Sequence, residues 1–136
     1  MVIDLTGVLQ DGTNRNVLVP YDARVALSVP QYQPATIRLK VVGRTGAPVP
    51  VGNWDAKLVV GKNGQAVITI VGTVDAARGP GCWNFALTRE HTRTLQPSTF
   101  GYDVWLLDKT SPTTFRECIV PTSQFNLKPS VAGATP

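Results

Sequence analysis

The feature that most constrains this 136-residue chain is an alternation of apolar and polar residues that recurs between residues 37 and 120. Residues 36–42 read Thr-Ile-Arg-Leu-Lys-Val-Val. The same period of two is found in three later segments, residues 54–58, 66–71 and 100–106. Successive side chains of a β-strand point to opposite faces, so each segment has one face that packs and one that meets water. The repeated pattern predicts an all-β chain whose two sheets close over one core.

The bulk composition indicates a globular protein of one domain. A length of 136 residues is ordinary for a domain, and 43% of the residues are hydrophobic. The 12 glycines and 11 prolines suit short strands joined by tight turns. No stretch approaches the ~20 apolar residues of a membrane span, so we expect no membrane partner.

The charges are scattered along the chain. There are 13 basic and 9 acidic residues, for a formal net charge of +4, and no run of three basic residues occurs. A nucleic-acid footprint clusters basic residues on one face or loop, so this pattern argues against a nucleic-acid partner. The two cysteines, Cys82 and Cys118, are too few for a disulfide scaffold. No signal peptide precedes them, so we expect both to be free thiols.

The first 34 residues differ from the rest because their apolar stretches are interrupted by Pro20, Pro30 and Pro34. Proline removes a ladder donor, which places such segments at sheet edges or in extended arms. One interpretation is an irregular edge strand with a loop. The other is an extended arm that docks on a neighbouring subunit, whose removal with residues 1–30 would abolish assembly and leave a folded monomer. We therefore divide the chain into an arm or edge segment (1–34), a β-sandwich domain (35–128) and an extended tail (129–136).

Catalytic chemistry finds little support in the sequence. The one histidine, His91, lies in a short turn, and it and two distant cysteines do not make a metal site. Asp55 and Asp103 lie outward on strands and could face each other, but such residues more often pair with lysine or arginine across strands. We predict no catalytic, cofactor-binding or metal-binding residues and no cofactor.

Surface hydrophobic residues are better candidates for function. Trp54 and Trp83 share faces with aliphatic neighbours, which favours the core, whereas Trp105 lies opposite the inward residues of its strand. An outward tryptophan more often marks a protein interface than a sugar site, although three tryptophans could also form a sugar-stacking platform. The candidate interface residues are Val2, Ile3, Leu5, Val17, Leu18, Val19, Trp105 and Leu107.

The segment that includes Leu95, Pro97 and Tyr102 resembles the tyrosine corner of immunoglobulin and fibronectin-like domains. In those domains a tyrosine hydroxyl bonds to the backbone upstream and fixes the crossing between the sheets. The resemblance implies an immunoglobulin-like antiparallel β-sandwich, to which we add an extended N-terminal arm.

The order of parts over residues 36–131 is similar to the immunoglobulin-like N-terminal domain of upper baseplate proteins in tailed phages. The matching parts are a turn at residues 43–48, a strand with Trp54, a Val/Ile strand, Gly101-Tyr-Asp-Val-Trp-Leu106, and a closing strand with Phe125. In that family the domain anchors a longer protein to the tail. Here no fibre or receptor-binding region follows, which favours a stand-alone component.

The resemblance implies a non-enzymatic structural component of a phage particle: a decoration, connector or baseplate subunit. Such a protein would be made in the host cytoplasm, reside in the virion, bind other virion proteins and self-associate in multiple copies. The alternative is an adhesin or carbohydrate-binding β-sandwich module.

Overall fold

Two packed β-sheets make up the part of the chain that the computed structural model describes, namely residues 1–9, 26–43, 54–109 and 116–129. The strands are β1 (Val2–Leu9), β2 (Leu27–Pro30), β3 (Ala35–Gly43), β4 (Trp54–Lys62), β5 (Gln65–Val71), β6 (Thr73–Val74), β7 (Cys82–Leu87), β8 (Thr99–Asp108) and β9 (Arg116–Lys128). A 3-10 turn spans Ala76–Arg78, and a short helix, α1, spans Arg89–Thr92. The predicted all-β sandwich is thereby confirmed.

Both sheets are mixed, which corrects the prediction of an antiparallel sandwich. The four-stranded sheet has the order β1-β3-β7-β6, and the five-stranded sheet has the order β2-β9-β8-β4-β5. β1 pairs parallel to β3, and β2 pairs parallel to β9, whereas the other pairs are antiparallel. Along the sequence, β2 lies between β1 and β3 but belongs to the other sheet. No hairpin therefore joins β1 to β3 and forces them to run in opposite directions. Alternation in the sequence identifies strands but carries no information about their direction.

Inward residues of the alternating segments form the core. In β3, Ile37, Leu39 and Val41 are fully buried, whereas Arg38 and Lys40 lie on the outer side. The buried residues of β4, β7 and β8 follow the same alternation: Ala56, Leu58, Val60, Trp83, Phe85, Leu87, Tyr102, Val104 and Leu106. The predicted hairpin between β4 and β5 is present, with φ of 55° at Asn63 and 78° at Gly64. Both positive values are those of a two-residue turn that matches strand twist.

β5 is covered on one face only, although its four aliphatic residues are consistent in sequence with burial on both. Ile68 and Ile70 are buried, whereas Val67 and Val71 are exposed. The outer face of the five-stranded sheet is half-buried at Val59 and Trp105 on the central strands, and it is more exposed on β5, which has a neighbouring strand on one side only.

The described part of residues 1–34 belongs to the sandwich and does not form an extended arm. β1 and β2 join different sheets, and Leu5, Leu27 and Val29 are buried in the core. These residues therefore follow the edge-segment alternative, because their apolar side chains are covered within the same molecule. Removal of residues 1–30 would take away two strands, so we expect it to disrupt the fold rather than to leave a folded monomer. Residues 10–25 and 130–136 lie outside the described residues, and the domain limits stay predictions.

A buried amide joins the turn after β2 to the segment between α1 and β8. Gln31 is 8% exposed, and its Nε2 donates to the carbonyl oxygens of Thr92 at 3.0 Å and Leu95 at 2.7 Å. The backbone N–H of Tyr32 donates to Oγ1 of the buried Thr92 at 3.1 Å. Two loops that are about sixty residues apart in sequence are thus fixed to each other.

Candidate interaction surface

The polar residues that could have carried chemistry have structural partners. The backbone N–H of Thr88 donates to Nδ1 of His91 at 2.9 Å, so the histidine caps the first turn of α1. Cys82 is a buried free thiol at the start of β7, and the side chain of Cys118 lies outside the described residues. Within the described ranges, no group of three or more His, Cys, Asp or Glu side chains could hold a metal ion.

Asp55 and Asp103 lie on the same outer face but do not face each other. In the register of β4 and β8, Asp55 is opposite Leu107 and Asp103 is opposite Val59. Asp55 Oδ1 lies 3.9 Å from Lys109 Nζ, and Asp103 Oδ1 accepts a hydrogen bond from Trp105 Nε1 at 2.9 Å. The pair therefore does not have the arrangement of two carboxyl groups held across a cleft.

The outer face of the five-stranded sheet carries an apolar surface. We call this surface the five-strand face and define it by Val59, Thr69, Val71, Trp105 and Leu107. Its residues come from neighbouring strands, because Val71 pairs with Lys57, Lys57 with Trp105, and Thr69 with Val59. Trp105 and Leu107 lie on the outer side, as their sequence positions indicate, and both are half-buried. Asp55, Lys57 and Asp103 place charges of both signs among these apolar residues.

The outer face of the four-stranded sheet is richer in polar contacts, although Val2 on β1 is 60% exposed there. Arg38 donates from Nε to Asp4 Oδ1 at 2.6 Å and from its terminal nitrogen to Oδ2 at 2.9 Å. This hydrogen bond lowers the pKa of the Asp4 carboxyl below its ordinary value. Beside this pair, Asn84 donates to Asp75 at 3.0 Å and accepts from Arg78 at 3.2 Å. The two outer faces of the sandwich thus differ in character.

The predicted interface residues do not form one surface. Val2 is exposed on β1, Ile3 is partly buried against the core, and Leu5 is buried. These residues belong to the edge of the four-stranded sheet, away from Trp105 and Leu107 on the five-strand face. Val17, Leu18 and Val19 lie outside the described residues.

The three residues of the predicted tyrosine corner occupy the start of β8 and the segment before it. Leu95 packs against the core, and Tyr102 is buried within β8. Pro97 lies between them, two residues before β8 begins. Their role as a tyrosine corner stays a prediction.

The tryptophans do not form a common platform. Trp83 is buried in the core, and Trp54 is partly buried and packs against the core, as their sequence positions indicate. Trp105 lies on the outer face of β8, with its indole N–H bonded to Asp103.

Sequence reasoning missed a groove of about 610 Å³ beside the β4–β5 turn. Gly61 of β4 and Gly101 of β8 are directly opposite each other, so this part of the floor has no side chains. Lys62 borders the groove, with Nζ 3.0 Å from Ser98 Oγ and 5.2 Å from the centre of the Phe100 ring. The signal in the sequence was Gly61 and Gly101, which lie about forty residues apart and indicate a groove only when the register of β4 and β8 is known.

No helix among the described residues is both long enough and apolar enough to cross a membrane.

Comparison with solved structures identifies a phage domain of similar fold. The chain is similar to the N-terminal domain of phage TP901-1 ORF48, with a TM-score of 0.57 and 8% sequence identity over 93% of this chain and 98% of that chain. A multicopper oxidase is matched with a TM-score of 0.37 and 12% identity over 94% of this chain and 43% of that chain, too weak a likeness to carry an argument. No protein-family model matches the chain, and no curated protein matches its sequence. The resemblance to a phage N-terminal domain is therefore confirmed at the level of the fold.

Proposed function

We propose that this chain is a non-enzymatic structural component of a phage particle that binds other virion proteins. The observation that carries the proposal is the shared fold with the ORF48 domain over nearly the whole length of both chains. Fold alone does not imply function, so the proposal also needs a surface suited to binding.

The five-strand face supplies such a surface. Trp105, Leu107 and Val71 place apolar area on the outside of a rigid sheet, where contact with a neighbour would remove it from water. Tryptophan is enriched in protein interfaces, where it often carries a large part of the binding energy. Asp55 and Lys57 on the same face would help to fix the orientation of the partner.

A structural component of this kind serves as a decoration, a connector or a baseplate subunit, and it acts in multiple copies. Repetition increases the strength of attachment without stronger individual contacts, because each further contact is made at a high effective concentration. The virion is then its place of action, after synthesis in the host cytoplasm.

The direct test is to locate the chain in particles of the phage that encodes it. Purified particles would be analysed by quantitative mass spectrometry and by antibody labelling on electron micrographs. We expect the chain at a constant number of copies per particle and at one position. Its absence from washed particles would contradict the proposal.

A pair of variants tests the five-strand face in the same particles. Trp105→Ala should reduce incorporation of the chain, because it removes the largest side chain of the five-strand face. Lys40→Ala is the matched control, since Lys40 is exposed on the polar outer face of the other sheet. Circular dichroism must show that both variants are folded. Equal incorporation of the two variants would exclude this face as the contact.

The adhesin alternative makes a different prediction for the same substitution. If Trp105 stacks on a sugar, the purified protein should bind a component of a glycan array, and Trp105→Ala should abolish that signal. If the proposal is correct, the array shows no binding that depends on Trp105.

A further inference from the structure

The sheet edges of the described sandwich differ in how well they are protected. β1 carries Asp4, β2 is four residues long and ends in Pro30, and β6 has two residues. Charge, proline and short length all hinder the addition of a further strand. β5 has none of these features, because its seven residues read Gln-Ala-Val-Ile-Thr-Ile-Val. Among the described edges, β5 is therefore the least protected over residues 68–71, because its one bulge lies before Ile68.

A hydrogen bond of Gly72, the residue after β5, shows in which direction the backbone groups along β5 point. The N–H of Gly72 donates to the carbonyl oxygen of Ala56 on β4 at 2.8 Å. In an antiparallel pair, hydrogen-bonding groups of alternate residues point to opposite sides of the strand. Ile70 therefore bonds toward β4, whereas the N–H and C=O groups of Thr69 and Val71 point toward the open edge.

The side chains along this edge are apolar and exposed. Val67 is 42% and Val71 is 63% exposed, and Thr69 between them is also exposed. The pairing with β4 shifts by one residue between Val60 and Gly61, which gives β5 one extra residue at Val67. This bulge leaves the segment from Ile68 to Val71 in regular pairing.

We propose that β5 pairs with β5 of a second copy of this chain, antiparallel and about a two-fold axis at Thr69. In this register Thr69 lies opposite the partner's Thr69, and Val67 lies opposite the partner's Val71. The outward-pointing N–H and C=O groups of Thr69 then exchange two hydrogen bonds with those of the partner's Thr69. Each exposed valine gains an apolar neighbour, and β-branched pairs across strands are favourable.

Charge and symmetry favour a second copy as the occupant. A register centred on Thr69 brings matching hydrogen-bond groups together without a second sequence, as a two-fold interface requires. Each chain has a formal charge of +4, yet residues 65–74 carry no charge at all. Two like-charged copies can therefore meet at this edge, because the lysines nearest to it in register, Lys57 and Lys62, lie one strand back on β4. This inference does not depend on the proposed function.

Sedimentation equilibrium of the full chain over a concentration series up to about 1 mM tests the proposal. We expect a reversible monomer–dimer equilibrium. Val71→Lys should raise the dissociation constant by about tenfold or more, because it brings a charge into the paired edge. Val2→Lys is the matched control, since Val2 is 60% exposed on the edge strand of the other sheet and should leave the constant unchanged.

A crosslinking experiment tests the register. Directly opposite residues have Cβ atoms about 4.5–5.5 Å apart, so Thr69→Cys should form an intermolecular disulfide after a small adjustment. Thr6→Cys, at an exposed threonine on β1, is the control and should not form an intermolecular disulfide. Fast crosslinking of Thr69→Cys alone supports the register, whether or not the chain is found in particles.

Three results would overturn the proposal. The first is a wild-type chain that stays monomeric throughout the series. The second is a dimer that Val71→Lys leaves intact, or that Val2→Lys weakens equally. The third is a monomeric chain whose Val71→Lys variant fails to enter particles, which would assign the β5 edge to a strand of another virion protein.

Discussion

At the scale of single residues, Gln31 shows how one buried amide can hold two loops together. Its Nε2 donates to the carbonyl oxygens of Thr92 and Leu95, and a leucine in its place would leave both acceptors without that donor. We expect Gln31→Leu to lower the free energy of unfolding by about 1–3 kcal/mol. Gln124→Leu, at an exposed glutamine of β9, should change it by less than about 0.5 kcal/mol. Urea unfolding measures both, and equal effects would contradict this role.

The ion pair on the polar face gives a pH-dependent prediction. Arg38 lowers the folded-state pKa of Asp4 below its ordinary value of 3.8. The contribution of the pair to stability is therefore present above that pH and is lost as the pH falls through the lowered pKa. Wild type should be more stable than Asp4→Asn at pH 7, and the difference should disappear at a pH well below 3.8.

Urea unfolding at the two pH values, with and without added salt, provides the measurement for Asp4→Asn. Because the pair is exposed, salt should also reduce the difference at pH 7. Asp55→Asn is the control, since its nearest described cation is 3.9 Å away. A difference between wild type and Asp4→Asn that is the same at both pH values would contradict the role of the ion pair.

At the scale of elements, Gly72 allows the chain to pass from the edge of one sheet to the edge of the other. A Cβ at this position would lie 3.1 Å from Phe85 Cε1 and 3.3 Å from the Cβ atoms of Ala56 and Trp83. Gly72→Ala should therefore lower the free energy of unfolding by about 1–3 kcal/mol through overpacking. Denaturant unfolding of a double-mutant cycle with Phe85→Leu checks the cause, because removal of the ring should make the combined loss smaller than the sum.

The control for this cycle is Gly64→Ala. Gly64 has φ of 78° and no atom near its added Cβ, so strain at this turn should cost about 1 kcal/mol. That cost should add to the cost of Phe85→Leu, because the two sites do not touch. If the effects of Gly72→Ala and Phe85→Leu were strictly additive, the close approach of Gly72 to Phe85 would not be the cause of the destabilisation.

Much of the strand content was predictable, because burial of one face imposes a period of two on the residues themselves. Ile37, Leu39 and Val41 are buried for that reason, and Asn63-Gly64 turns because these residues accept positive φ. Strand direction, the opposition of Gly61 and Gly101, and the partners of Gln31 depend on which distant segments meet. A local sequence pattern carries no information about contacts between distant segments, so these features could be found only in the structure.

At the scale of the whole molecule, the N-terminal residues help to close the sandwich. The sequence left open whether they pack on their own domain or on a neighbour, since apolar residues suit both. The structure places β1 along β3 with Leu5 in the core. Among the described residues, the five-strand face and the β5 edge leave apolar side chains open to partners, and both lie on the five-stranded sheet.

This arrangement predicts that Leu5→Ala acts on folding rather than on assembly alone. Loss of a buried leucine side chain leaves a cavity, so the free energy of unfolding should fall by about 2–5 kcal/mol in the isolated protein. Val2→Ala, three residues away and exposed, should change it by no more than about 0.5 kcal/mol. Denaturant unfolding of both variants separates the two cases, because an arm that docks only on a neighbour would leave the isolated chain equally stable with either substitution.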